Sequence, residues 1–248
     1  MTALLLDLGN SRWKMASDAG AGIGTVVSGN YDDLNDLRSN LNGNPQMIGS
    51  VWLASVAGPE ATHAVVAALQ ETLKINVRRV RSTDVMPNLV SGYRKPEQLG
   101  IDRLLAMVAA RAVTPAPLCV VDAGTAVTID FVAADGQHLG GFILPGGRML
   151  RECLLANTAI PRDDFVDEGA VLGRDTPTAV ALAGRYAVTG IVEHFTGGSR
   201  SLFPGAHVHT FVGGGDADQI LKLLPQPCTK LDHLVLRGLS LMAAGGES

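Results

Sequence analysis

Cysteine is scarce in this 248-residue chain, and Cys119, Cys153 and Cys228 form an odd set without Cys-x-x-Cys spacing. That pattern suggests neither a disulfide framework nor a zinc site, and it leaves small hydrophobes in a reducing compartment as the expected role. A basic excess is also missing. The formal net charge is −4, which argues against a nucleic-acid scaffold, although an anionic small ligand needs only a few well-placed donors. No run approaches the ~18 consecutive apolar residues of a membrane span. The opening Met1-Thr2-Ala3-Leu4-Leu5-Leu6 lacks the basic start of an export signal and meets Asp7 at once. Neither a nucleic-acid nor a membrane partner is expected, and the cytoplasm is the expected compartment. Two common nucleotide signatures are absent as well, Gly-x-x-x-x-Gly-Lys-[Ser/Thr] and Gly-x-Gly-x-x-Gly.

What remains is a chain with 46% hydrophobic and 18% charged residues, enough for one large α/β domain or two smaller ones. Ala3 to Leu8 reads as a buried strand ending at Gly9-Asn10, and Arg12 to Ala16 as a second strand leaving a tight turn. Val51 to Val56 is another buried strand, followed by a helix over Glu60 to Lys74 and a strand over Asn76 to Arg81. Residues 18–50 are rich in Gly, Asn, Ser and Asp and show no clear period.

Leu118 to Val121 then repeats the opening design. An apolar run ends in Asp122-Ala123-Gly124, and a second strand, Ala126 to Val132, leaves the turn. The two Asp-x-Gly turns lie about half a chain apart, which predicts two related domains, 1–115 and 116–248, parting near Pro115-Ala116-Pro117. Further elements are a helix from Ile101, with apolar residues Leu104, Leu105, Val108 and Ala112 on one face, and a strand over His138 to Leu144. A long helix over Thr176 to Phe195, a helix over Asp216 to Leu224 and a closing helix over Leu234 to Ala244 complete the reading.

Several constellations carry chemistry. In Asp7-Leu8-Gly9-Asn10-Ser11-Arg12-Trp13-Lys14, backbone N–H groups in the turn suit a phosphate, glycine permits its close approach, and Lys14 offers a cation. Asp7 has the hard oxygen that Mg²⁺ prefers. The same residues also suit an ordinary hairpin whose Asp and Asn satisfy the turn backbone. Asp122 to Asp130 duplicates the arrangement, with Thr125 at its tip. In Gly100-Ile101-Asp102-Arg103 the carboxylate sits in the first turn of a helix, where it could take a proton from an attacking hydroxyl, while Arg103 could fork onto a carboxylate or phosphate. Gly140-Gly141 to Pro145-Gly146 and Gly213-Gly214-Gly215 are further glycine-rich turns. His207 and His209 alternate along an expected strand, but no carboxylate or cysteine nearby completes a metal site.

Taken in order, these motifs resemble the type III pantothenate kinase family of the actin-like ATPase and sugar kinase superfamily. Asp7 to Lys14 is similar to the family's Asp-x-Gly-Asn-[Thr/Ser]-x-x-Lys loop, and Gly100 to Arg103 to its Gly-x-Asp-Arg motif. Asp122 to Asp130 is similar to Asp-x-Gly-Thr-Ala-x-Thr-x-Asp, and Gly140 to Gly146 to Gly-Gly-x-Ile-x-Pro-Gly. The resemblance implies an α/β fold of two duplicated ribonuclease-H-like (actin-like ATPase) domains with a nucleotide cleft between them. It implies a phosphotransferase that makes 4′-phosphopantothenate from pantothenate and ATP, the first step of coenzyme A biosynthesis. On that reading Asp102 is the catalytic base, and Asp7, Leu8, Gly9, Asn10, Ser11, Arg12, Trp13, Lys14 and Thr125 hold ATP. Asp122 binds a monovalent cation, K⁺ or NH₄⁺, used beside Mg²⁺. Pantothenate meets Tyr93, Gly100, Ile101, Asp102, Arg103 and Thr176, the last supplied across a homodimer. The chain departs from the family in carrying Asp175 and Ser11, where Asn and Thr are frequent. Another small-molecule kinase of the superfamily fits the same loops, since they serve the nucleotide and say little about the acceptor. A non-catalytic regulator on this scaffold is the other alternative, and a chaperone or filament ATPase would need room that this chain lacks.

Overall fold

The computed structural model describes residues 2–41, 47–160, 169–197, 201–225 and 227–245. The chain divides into two compact units. The first comprises Met1–Val113, Asp135–His138 and His233–Ser248, and the second Thr114–Ala134 and Leu139–Asp232.

In the first unit, β1 (Thr2–Leu8), β2 (Trp13–Asp18), β3 (Val27–Gly29), β4 (Ile48–Ser55) and β5 (Val77–Arg79) form one sheet in the order β3-β2-β1-β4-β5. The first three strands pair antiparallel, and β4 and β5 add in parallel. β1 is buried on both faces, so it reads as a continuous apolar run rather than an alternation. Leu4, Leu6 and Leu8 pack with Trp13, Leu53, Val65 and Leu69, a core that also takes in Leu37 of α1 (Asn35–Leu41) and the inner face of α2 (Pro59–Leu73). Residues 42–46, part of the stretch without a clear period, lie outside the described residues.

α3 (Ile101–Arg111) and α7 (Leu234–Gly245) also belong to this unit and pack against each other and the sheet. This differs from the expected second domain of 116–248, because the closing helix joins the first unit. The cause is its apolar face: Leu234, Val235, Leu236, Leu239 and Met242 are buried. Gly238 lets the two helix backbones touch, since a Cβ there would stand 2.3 Å from the Leu105 carbonyl oxygen. The carboxylate of Asp18 accepts from the Ser240 hydroxyl and the Gly20 amide, which pins α7 to the end of β2.

The second unit repeats the plan. β6 (Leu118–Ala123), β7 (Ala126–Val132), β8 (His138–Pro145, whose first residue, His138, belongs to the first unit), β9 (His209–Gly213) and β10 (Cys228–Lys230) form a sheet in the order β10-β9-β6-β7-β8. Read from the other edge, this is the first sheet's order, again with an antiparallel opening hairpin followed by parallel strands. α5 (Thr176–Thr196) covers one face through Val188 and Val192 over Val121, Ile129 and Phe131. α4 (Gly147–Asn157) was not expected, since its glycine start reads as turn, and none of its residues is buried. α6 (Ala217–Leu221) is shorter than the expected Asp216 to Leu224.

Candidate active site

The register of the first hairpin sets Asp7 opposite Lys14 and Leu8 opposite Trp13, leaving Gly9 to Arg12 as the turn. Leucines on both sides of Asp7 are buried, so the strand end is rigid while Asn10, Ser11 and Arg12 are exposed at the tip. The Gly9 amide donates to the Arg12 carbonyl at 3.1 Å, and the Leu8 carbonyl accepts from the amides of Val56 and Ala57. Lys14 Nζ stands 3.8 Å from Asp7 Oδ2. A loose, half-exposed pair of this kind adds little to stability. It does keep a cation and a carboxylate beside one turn.

Two residues that sequence reasoning missed brace this loop. Tyr31 donates its hydroxyl to the Gly9 carbonyl at 2.6 Å. Burial, with a smaller push from Asp7, holds the Tyr31 phenol above the usual tyrosine range, so the donor keeps its proton. Asn30, next to it, accepts from the indole of the fully buried Trp13 at 3.0 Å. No local pattern marks Tyr31, which reaches the loop only through the fold. Tyr31→Phe is expected to keep the ring packing but free the Gly9 carbonyl, raising the KM for nucleotide several-fold with a small change in melting temperature. Steady-state kinetics with varied ATP check this, and an unchanged KM would dismiss the brace.

The second hairpin sets Asp122 opposite Thr128, so the place that Lys14 holds in the first carries a hydroxyl in the second. Its turn runs from Gly124 to Ala126, with the Gly124 amide donating to the Ala126 carbonyl at 3.0 Å. Two of the glycine-rich stretches converge on it. The Gly146 amide donates to the Thr125 carbonyl at 3.0 Å, and a Cβ at Gly146 would fall 2.3 Å from the Gly124 carbonyl oxygen. The Asp216 amide donates to the Ala123 carbonyl at 3.0 Å, and Gly214 lies against the Ala123 backbone with φ +90°. The separate glycine motifs are therefore parts of one construction, a turn braced by backbone from two other segments.

Gly100 precedes α3, and its carbonyl accepts from Leu104 to open the helix. A Cβ at Gly100 would be 2.5 Å from Asp102 Oδ1, so glycine leaves space for the carboxylate. That oxygen accepts from the Arg103 amide at 2.8 Å, and Asp102 is partly exposed while Ile101 and Arg103 are buried. Arg103 donates to the Tyr93 hydroxyl at 2.6 Å, and its guanidinium carbon stands 5.5 Å from that ring's centroid. The structure thus joins Tyr93, Gly100, Asp102 and Arg103, expected as one substrate group, in a single cluster of the first unit.

Thr176 is exposed at the start of α5 in the second unit. Asp175 caps that helix, its carboxylate accepting from the Thr178 amide at 2.8 Å. This bond, aided by the Thr178 hydroxyl, holds the carboxyl below its ordinary range. The acidic departure from the family pattern therefore has a structural use. His209 begins β9, stacks on Phe211 and shares a 2.8 Å hydrogen bond with Thr229, whereas His207 precedes the strand. Among the described residues, no group of three or more His, Cys, Asp or Glu could hold a metal ion by itself. A Mg²⁺ held chiefly by phosphates needs only one or two carboxylates, and Asp7, near the end of β1, is a carboxylate of that kind.

Two five-stranded units of one topology, each opening on an Asp-x-Gly hairpin, give the duplicated ribonuclease-H-like fold of actin-like proteins. Solved structures share this fold. A Campylobacter jejuni protein described as a Baf family transcriptional activator superposes with a TM-score of 0.62 at 19% identity, over 98% of each chain. A Sinorhizobium meliloti protein described as a 2-dehydro-3-deoxygalactonokinase gives 0.60 at 14% identity, over 98% of this chain and 96% of its own. The family model described as type III pantothenate kinase matches residues 3–197. The type III pantothenate kinase of Halorhodospira halophila is 34% identical over 247 residues, 95% of either chain. The chain belongs to the type III pantothenate kinase family.

Proposed function

We propose that this protein phosphorylates the primary hydroxyl of pantothenate with ATP, giving 4′-phosphopantothenate and opening coenzyme A biosynthesis. The observation that carries the reading is the cluster at the start of α3. A partly exposed carboxylate is given room by Gly100, and it sits beside a buried guanidinium that is itself held by a tyrosine.

Phosphoryl transfer asks the protein mainly for positioning and charge neutralisation. Asp102 accepts the proton of the attacking hydroxyl, and Arg103 with Tyr93 orients the pantothenate carboxylate or its polar backbone. Backbone donors of Gly9 to Arg12, with Lys14 on the paired strand, suit polyphosphate, and the second hairpin with Thr125 offers donors of the same kind for ATP. Mg²⁺, when bound beside Asp7, would neutralise phosphate charge, and Asp122 would hold the K⁺ or NH₄⁺ ion.

A homodimer also fits. β8 is a sheet edge whose Leu139, Phe142 and Ile143 are exposed, and neighbouring α4 exposes Met149 without burying any residue. An apolar edge strand left open is a liability that a second copy would remove. In such a dimer Thr176 would serve the partner's substrate.

A coupled ADP-release assay with ATP, Mg²⁺ and pantothenate, with and without K⁺ or NH₄⁺, tests the proposal. The expected result is pantothenate-dependent turnover that requires the monovalent cation. Nucleotide binding without turnover under any cation would point instead to another acceptor or to a non-catalytic role.

A further inference from the structure

The segment that carries Tyr93 is not free to choose its own path. It is laid along residues 136–138, with the Val90 amide donating to the Gly136 carbonyl at 3.0 Å and the His138 amide donating to the Val90 carbonyl at 2.9 Å. Val90 and Gln137 form a parallel bridge, and Gln137 donates its side-chain amide to the His138 carbonyl at 3.0 Å. Gly92 passes so close that a Cβ would fall 2.0 Å from the His138 carbonyl oxygen. Only glycine fits there.

The imidazole continues this grip. His138 is 1% exposed, and its Nδ1 accepts from the Gly92 amide at 3.4 Å, which puts the ring proton of the neutral form on Nε2. The ring lies nearly parallel to Tyr93, at 5.9 Å between centroids and 16° between planes. Tyr93 in turn accepts from Arg103. All these groups lie in the first unit. A tyrosine at a surface site would otherwise sample several rotamers. Here one face of its ring is fixed by a buried imidazole, and its backbone is fixed by the same residue.

We propose that His138 is a positioning residue for the acceptor substrate. It sets the plane of Tyr93, and through the Tyr93 hydroxyl it sets the direction of the Arg103 fork beside Asp102. It does not touch the reacting atoms. This rests on the reading of Tyr93 and Arg103 as the pantothenate side of the site, and it assigns nothing to the nucleotide side.

Three substitutions separate the parts. His138→Ala removes both ring and acceptor, His138→Phe keeps a ring to stack, and His138→Asn keeps an acceptor near Nδ1. With the wild-type enzyme measured alongside, His138→Ala is expected to raise the KM for pantothenate about tenfold or more. The KM for ATP should stay within about twofold and kcat within about threefold, the split left by lost uniform binding of one substrate. The Phe and Asn variants should fall between it and the wild type. Should the Ala variant fail to fold, the other two carry the comparison. Pantothenate KM values unchanged in folded variants, or both KM values rising together, would overturn the positioning role. A wild-type enzyme with no pantothenate-dependent turnover would instead overturn the function on which it rests.

Discussion

Asp102→Asn is expected to keep the fold and nucleotide affinity while lowering kcat by at least ~10²-fold, the range for a lost general base. The geometry makes this substitution unusually clean. Asp102 Oδ1 accepts from the Arg103 amide, and the amide oxygen of Asn can take the same bond. The shape beside Gly100, where space is tightest, is also kept. What is lost is the negative charge and the capacity to hold a proton, so a fall in kcat reports chemistry rather than architecture. Coupled kinetics supply kcat, and calorimetric titration with a non-hydrolysable ATP analogue supplies the affinity. Turnover near the wild-type value would remove Asp102 from the mechanism.

The second large effect is on the loop itself. Gly214→Ala places a Cβ 2.3 Å from the Ala123 carbonyl oxygen, 2.5 Å from its carbon and 2.7 Å from its nitrogen, at a φ of +90°. Those neighbours are backbone of a central strand whose register is set on both sides by β7 and β9, so they have little freedom to yield. Backbone strain and the clash together are expected to cost about 3 kcal/mol or more, and the turn of the second hairpin should shift with them. Thermal melting should fall by several degrees, and the KM for ATP should rise by an order of magnitude where the variant can be purified. Gly215→Ala is the control, because a Cβ there meets nothing within 4 Å. Equal melting temperatures for the two variants would show that the 213–216 turn does not brace Ala123.

Much of the architecture was readable because its signals are local. The two apolar runs ending in Asp-x-Gly announce a duplication, and β1 with β2 and β6 with β7 form the expected hairpins within a residue or two. The long helix after Asp175 starts where its cap and Pro177 say it should. The misses are short or unburied elements: β3, α1 and β10 were not expected, and neither was α4. α4 opens on Gly147, a residue that usually marks a turn, and it buries nothing, so no apolar period announces it. α6 stops early, before Leu223-Leu224-Pro225.

The amino-acid order by itself determined the strands of the two opening hairpins, the hairpin loops, the start of α3 with its carboxylate, and the family these motifs mark. Each depends on residues within about one turn of a helix or one hairpin of each other, a range over which backbone preference and apolar period decide the outcome. Tertiary structure alone decided that α7 packs on α3, that Tyr31 holds Gly9, that Gly146 and Gly214 close on the second loop, and that His138 lies flat against Tyr93. Those pairs are far apart in the chain, and each exists because whole sheets and helices must bury their apolar faces together. No short window of sequence contains the surfaces that make that choice.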